Sequence, residues 1–190
     1  MSVFDGFRRG IFPSRRGSEA LWGVAACLSA LQGDITRQPT DAVVNAANEG
    51  LARGSGVCGA IFAGAGPGLA EACAAVGPCR TGDAVATPGF ALPARWIIHA
   101  VGPVWHDGAR GEPELLAAAY RRSLEVAADL GATSISFPAI STGVYGYPLE
   151  AATAVAVATC RDAPPQIDLI QLVCFDAEAL SATEKALGRT

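Results

Sequence analysis

The chain has 190 residues, 51% of them hydrophobic and 17% charged, which excludes a disordered tail, a coiled coil and a collagen-like fibre and fits one domain able to bury a core. Fourteen basic against eighteen acidic side chains give a net charge of −4, so wrapping of nucleic acid by phosphate neutralisation is not expected, whereas a small anionic ligand is compatible. No run of about 18 apolar residues occurs, so no helical membrane span is expected.

Residues 1–20 carry Arg8, Arg9, Arg15 and Arg16 without sustained periodicity and read as an N-terminal arm, with the folded domain over 21–190. Those arginines before the apolar run 21–31 resemble an export signal. The competing reading makes 24–31 the first buried strand, because it runs straight into Gly33-Asp34-Ile35-Thr36, and this reading keeps the protein cytoplasmic. Further apolar, β-branched runs at 42–45, 95–100, 134–138 and 168–175 are bounded by Gly, Pro, Asn or Asp, as buried strands are. Helical stretches lie between them at 66–76, 114–130, 148–161 and 177–187. The clearest is 114–130, with Leu116, Tyr120, Leu124 and Ala127 on one stripe and Gly131 just beyond. Ile- and Val-rich strands without polar alternation, separated by helices, predict a sheet covered on both faces, an α/β fold of three-layer α/β/α type.

Six cysteines lie at irregular spacings without a C-x-x-C pair and read as thiols. His99 and His106 are the only histidines, so neither a metal site nor a cofactor is expected. His99, flanked by Ile97, Ile98 and Val101, reads as a core histidine before a catalyst.

Two glycine loops carry the chemistry. Gly54-Ser55-Gly56-Val57-Cys58-Gly59 spells G-x-G-x-x-G, but it starts nine residues after Asn45 and has no acidic ribose ligand about 20 residues on, so a Rossmann-like oxidoreductase fits poorly. Ser141-Thr142-Gly143-Val144-Tyr145-Gly146-Tyr147 follows the strand ending at Pro138 and leads into the helix at Pro148. Glycines admit an anion to backbone N–H groups and helix N-termini carry partial positive charge, so two such loops could clamp a diphosphate without Lys or Arg.

Gly33-Asp34-Ile35-Thr36, Asp41-Ala42-Val43-Val44-Asn45-Ala46-Ala47-Asn48, the loop at 54–60, Ile98-His99-Ala100-Val101-Gly102-Pro103 and the block 140–147 together resemble the macrodomain family, most closely its MacroD-type branch, over about residues 23–187. The resemblance implies a three-layer sandwich with a mixed central sheet and an ADP-ribose cleft at the strand ends. It implies that Asp34 accepts from the adenine amino group, that the Ile35 backbone lies beside the ring, and that Asn48 reaches the distal ribose and helps hold the reactive water while Asn45 orders the loop. It further implies that the backbone of Ser55, Gly56 and Val57 faces the distal ribose and diphosphate. Ser141, Thr142, Gly143, Val144 and Tyr145 would close over the phosphates, with Tyr145 packed on the distal ribose. Phe175 matches a ring beside adenine, and a core aromatic is the equal alternative.

The departure is Cys58, where the MacroD-type pattern places an aspartate. Three readings stay open: a spectator while Asn48 and the ligand's phosphate orient water, an activated thiolate, or lost catalysis. The expected activity is hydrolysis of mono-ADP-ribosylated protein, or deacetylation of O-acetyl-ADP-ribose, by a bound water. The alternative is a non-catalytic ADP-ribose reader. The expected partners are ADP-ribose and ADP-ribosylated protein, and a monomer is expected.

Overall fold

The computed structural model describes residues 26–189; the arm expected over 1–20 and the first two residues of the predicted strand 24–31 lie outside the described residues. Six strands form one sheet in the order β1-β6-β5-β2-β4-β3. These are β1 (Cys27–Gln32), β2 (Ala42–Ala46), β3 (Ala84–Pro88), β4 (Trp96–Ala100), β5 (Ser134–Phe137) and β6 (Leu169–Cys174). All neighbours pair parallel except β3, which runs antiparallel to β4 at one edge. The sheet is therefore mixed, as the resemblance implies.

The helices are α1 (Gly56–Ala65), α2 (Gly68–Val76), α3 (Glu112–Asp129), α4 (Leu149–Arg161) and α5 (Ala177–Leu187). Side chains alternate across the central strands, and the alternation divides the core in two. Ala42, Val44, Ile98 and Ala100 join the side packed by α3, α4 and α5, while Val43 and Ile97 join the side packed by α1 and α2. Asn45 and His99, in register on β2 and β4, therefore also face α1 and α2. The stripe Leu116, Tyr120, Leu124 and Ala127 is fully buried on α3.

Two elements differ from the sequence reading. The glycine-rich stretch read as a loop over 54–60 enters helix α1 at Gly56, and two glycines within the helix serve close approach: a Cβ on Gly59 would stand 2.9 Å from the Gly54 carbonyl oxygen, and one on Gly64 2.8 Å from Leu92. Strand β3 was not among the predicted runs, because Ala-Val-Ala-Thr-Pro is short, small and ends in proline, which an edge position tolerates. At the far end of the sheet the Asp41 carboxylate accepts from the N–H and hydroxyl groups of Thr133 and Ser134, tying β2 to β5. The opposite, carboxyl ends of the five parallel strands stay open for a ligand, as in open α/β sheets generally.

Candidate functional site

The sheet order spreads the predicted residues along one edge. After β1 comes Asp34, which caps the short turn Ile35–Arg37: its Oδ1 accepts from the Thr36 N–H at 2.9 Å and the Thr36 hydroxyl at 2.7 Å. These bonds, the hydroxyl first, hold its carboxyl below the usual carboxylate range, with a smaller contribution from the charge of Arg37 at 3.5 Å. The side chain remains 52% exposed, with lone pairs free to accept another donor. Ile35 beside it is buried. Phe175 follows the neighbouring strand β6, and the Gly33 N–H donates to the Cys174 carbonyl at 3.0 Å, so Asp34 and Phe175 leave adjacent strands at the same level. Phe175 is 87% exposed, which removes the core-aromatic alternative. A large exposed ring beside a half-exposed carboxylate offers a stacking face and an acceptor to a flat, amino-bearing base.

The middle of the edge is built from backbone. Ser55 precedes α1 without a side-chain cap, so the first-turn N–H groups of Gly56, Val57 and Cys58 have no acceptor among the described residues. Gly56 has φ +57°, a conformation that favours glycine. After β5, Gly146 donates to the Gly143 carbonyl and Tyr147 to the Ser141 carbonyl, closing the loop on itself while the N–H groups of Gly143, Val144 and Tyr145 donate to no described acceptor. Ser141 is held at φ +69° with its buried Oγ unpartnered among the described residues. That oxygen would lie 2.2 Å from a Cβ on Gly102, so only glycine fits at 102. Thr142 bonds the Ala139 carbonyl at 2.8 Å, and Val144 is 86% exposed at the loop tip. Two sets of free amides on the loops after neighbouring strands, one at a helix N-terminus, can cradle an anion without a cationic side chain.

The far end lies after β2. Asn48 turns its carboxamide onto its own loop, donating to the Ala52 carbonyl at 2.8 Å and accepting from the Ala52 N–H at 3.1 Å. Cys58 is buried, with Sγ 3.3 Å from the Gly54 nitrogen, 3.7 Å from the Ala52 carbonyl oxygen and 3.8 Å from Asn45 Nδ2. Asn45 Nδ2 also lies 3.1 Å from His99 Nδ1, and His99 Nε2 lies 2.9 Å from the Thr87 hydroxyl. Burial pushes His99 down to about 4, so it is neutral at pH 7 and serves as a polar pin. His99 belongs to the core, and through Asn45 it supports the first turn of α1, which carries Cys58. On the other loop, the Tyr145 phenol is raised, first by burial and then by the nearby charge of Glu49.

Some contributing residues are absent from the sequence-based set. Glu112 buries its carboxylate under the loop after β4, accepting from the N–H groups of His106 at 3.2 Å, Gly108 at 3.3 Å and Arg110 at 2.6 Å. Burial raises its carboxyl, but those bonds and its own N–H outweigh burial and bring it to about 2. The loop it orders props the other: the Trp105 N–H donates to the Tyr145 carbonyl at 2.9 Å, and the Trp105 ring lies 4.4 Å from that of Tyr147. An acid just before Pro113, after a Gly- and Asp-containing loop, is the sequence signal that could have marked Glu112.

An open α/β sandwich with an exposed aromatic, a ready acceptor and two amide-lined loops at its strand ends is a ligand-binding domain built for an anion joined to a base. The Macro domain family model matches residues 44–156. A macro domain-containing protein of Ralstonia nicotianae is 52% identical over 161 residues, covering 85% of this chain and 94% of its own. An O-acetyl-ADP-ribose deacetylase of Cronobacter turicensis is 47% identical over 169 residues, covering 85% and 96%. Among solved structures, the Oceanobacillus iheyensis macrodomain with ADP superposes with a TM-score of 0.79 at 41% identity, over 84% of this chain and 88% of that one. The Trypanosoma brucei macrodomain in complex with ADP-ribose gives 0.79 at 39% identity, over 85% and 69%. The chain belongs to the Macro domain family.

Proposed function

We propose that this macrodomain binds ADP-ribose and hydrolyses its esters, with O-acetyl-ADP-ribose and mono-ADP-ribosylated protein as substrates. The observation that carries the reading is the order of groups along the strand ends. Asp34 and Phe175 suit adenine at β1 and β6, the free amides of 56–58 and 143–145 suit the diphosphate, and Tyr145 with the loop 48–54 suits the distal ribose. The likeness to a protein named O-acetyl-ADP-ribose deacetylase and to a structure in complex with ADP-ribose supports the same ligand. In this reading a water held at the distal end attacks the ester carbon, and the diphosphate contacts hold the substrate in line.

One observation favours the alternative of a reader that binds without turnover. The Cys58 thiol is turned onto the backbone of Ala52 and Gly54, so that position offers a loop latch in place of a carboxylate. Incubation with O-acetyl-ADP-ribose and, separately, with an ADP-ribosylated acceptor protein distinguishes the two. Release of many equivalents of ADP-ribose per protein supports the hydrolase, and saturable binding without release establishes the reader.

A further inference from the structure

On the reading that the loop 141–147 takes the diphosphate, the loop must hold its amides in place before the ligand arrives. Its carbonyls at Ser141, Gly143 and Tyr145 each accept an N–H, from Tyr147 at 3.0 Å, Gly146 at 2.9 Å and Trp105 at 2.9 Å, while the N–H groups of Gly143, Val144 and Tyr145 donate to no described acceptor. The first two of these bonds lie within the loop, and the third comes from outside it. Two supports from outside the loop trace to helix α3. At the entry, the buried Tyr120 hydroxyl donates to the Pro138 carbonyl at 3.2 Å and accepts from the Ile140 N–H at 3.3 Å. At the exit stands Trp105, whose own loop is gathered by Glu112, the first residue of α3. Glu112 is the one buried carboxylate among the described residues, and it accepts from the N–H groups of His106, Asp107, Gly108 and Arg110. Gly108 in turn lies so close under the Trp105 ring that a Cβ there would stand 2.6 Å from it, and the same ring lies 4.4 Å from that of Tyr147.

We propose that Glu112 and Tyr120 are positioning residues that clamp the diphosphate loop from its two ends, Tyr120 directly at the entry and Glu112 through Trp105 at the exit. Both are buried, and both belong to one helix about two turns apart, so a single rigid element spaces the two ends of the loop. With the carbonyls of 141, 143 and 145 committed to donors, the free N–H groups of 143–145 are held for an anion. The loop then meets the diphosphate already shaped, and little freedom is lost on binding. Removing either support leaves the loop to be ordered by the ligand, at a cost in affinity.

The test measures Kd for ADP-ribose by calorimetry, and amide resonances of the free protein by NMR, in the parent, Glu112→Gln and Tyr120→Phe, with thermal melting verifying each variant. Glutamine keeps an oxygen for His106 and Gly108 but sets an amide against the Arg110 N–H. Phenylalanine keeps the ring on Phe137, 5.0 Å away, and removes only the hydroxyl. Each folded variant should bind ADP-ribose about tenfold more weakly, the scale of one lost buried hydrogen bond. The resonances of Gly143, Val144 and Tyr145 should move while those of Asp34 and Phe175, at the other end of the strand edge, stay in place. The proposal is overturned if either folded variant binds within threefold of the parent, or if Asp34 and Phe175 shift as much as 143–145, which would make the effect a general loosening of the fold. Should Glu112→Gln fail to fold, Tyr120→Phe decides by the same two criteria. A parent that does not bind ADP-ribose contradicts the proposed function itself, which separates that failure from the failure of the clamp.

Discussion

Lowering the pH from 7 to 5 should destabilise the domain through His99, the buried pin between Thr87 and Asn45. Its folded value is about 4 against an ordinary 6.5, because burial disfavours the imidazolium. A depressed folded value means that the unfolded chain binds the proton first, so the stabilisation is complete above 6.5 and is lost as pH falls towards 4. At 1.36 kcal/mol per unit the full effect approaches about 3 kcal/mol, and the linkage relation gives about 2 kcal/mol of it by pH 5. That is a large share of the ~5–15 kcal/mol that holds a domain together. Glu112 acts in the same direction but in a lower window: its folded value of about 2 lies below the ordinary 4.5, so its contribution is lost only as pH falls through that range. Between pH 7 and 5 the slope therefore belongs mainly to His99. Urea unfolding at pH 7, 6 and 5 should show the midpoint falling, and His99→Gln, which cannot titrate, should be less stable at pH 7 yet nearly flat across the interval. A parent with no pH slope, or a variant with the same slope, would refute the reasoning.

Asp34→Ala should weaken ADP-ribose binding by about 1–3 kcal/mol, as for loss of a charged hydrogen-bond partner, and should also loosen the cap on Thr36. Asp34→Asn keeps an oxygen for that cap, so calorimetry on both variants separates the adenine contact from local unfolding; unchanged affinity in a folded alanine variant makes Asp34 a turn residue only. Gly143→Val should abolish binding with the melting temperature unchanged, because a Cβ there meets nothing within 4 Å in the free protein but would block an anion. Gly56→Val should also lose binding, but with a lower melting temperature, since φ +57° strains a β-branched residue. Cys58→Ala should keep turnover within about fivefold while costing about 1 kcal/mol in stability from the lost latch to Gly54 and Ala52, read by ADP-ribose release and by melting. Inactivation by this change would make the thiol a catalyst.

The five parallel strands were legible as short β-branched or apolar runs bounded by turn residues, although β1, expected as a buried strand, lies at the sheet edge and is only partly buried. Helix α3 was legible from its stripe. The start of helix α1 was not, since Gly54-Ser55-Gly56-Val57-Cys58-Gly59 reads as a loop until the structure shows the Gly54 carbonyl packed where a Cβ on Gly59 would stand. The glycine loops and Asp34 were visible as local motifs. The exposure of Phe175 was not, because a phenylalanine at a strand end reads the same buried or bare. Least legible were contacts made by register. Asn45 meets His99 only because β2 pairs with β4, Thr87 reaches the same ring only because β3 turns back antiparallel, and Glu49 meets Thr81 across 32 positions. Such pairings depend on sheet order, which no local pattern along the chain encodes.

Titration of the purified protein with ADP-ribose in a calorimeter tests the central claim most directly. The cleft described above predicts saturable binding of one ADP-ribose per chain, with AMP weaker because it lacks the diphosphate and the distal ribose. Absence of heat at millimolar ADP-ribose, together with an unchanged melting temperature, would contradict it, because a ligand that binds only the folded state must raise stability.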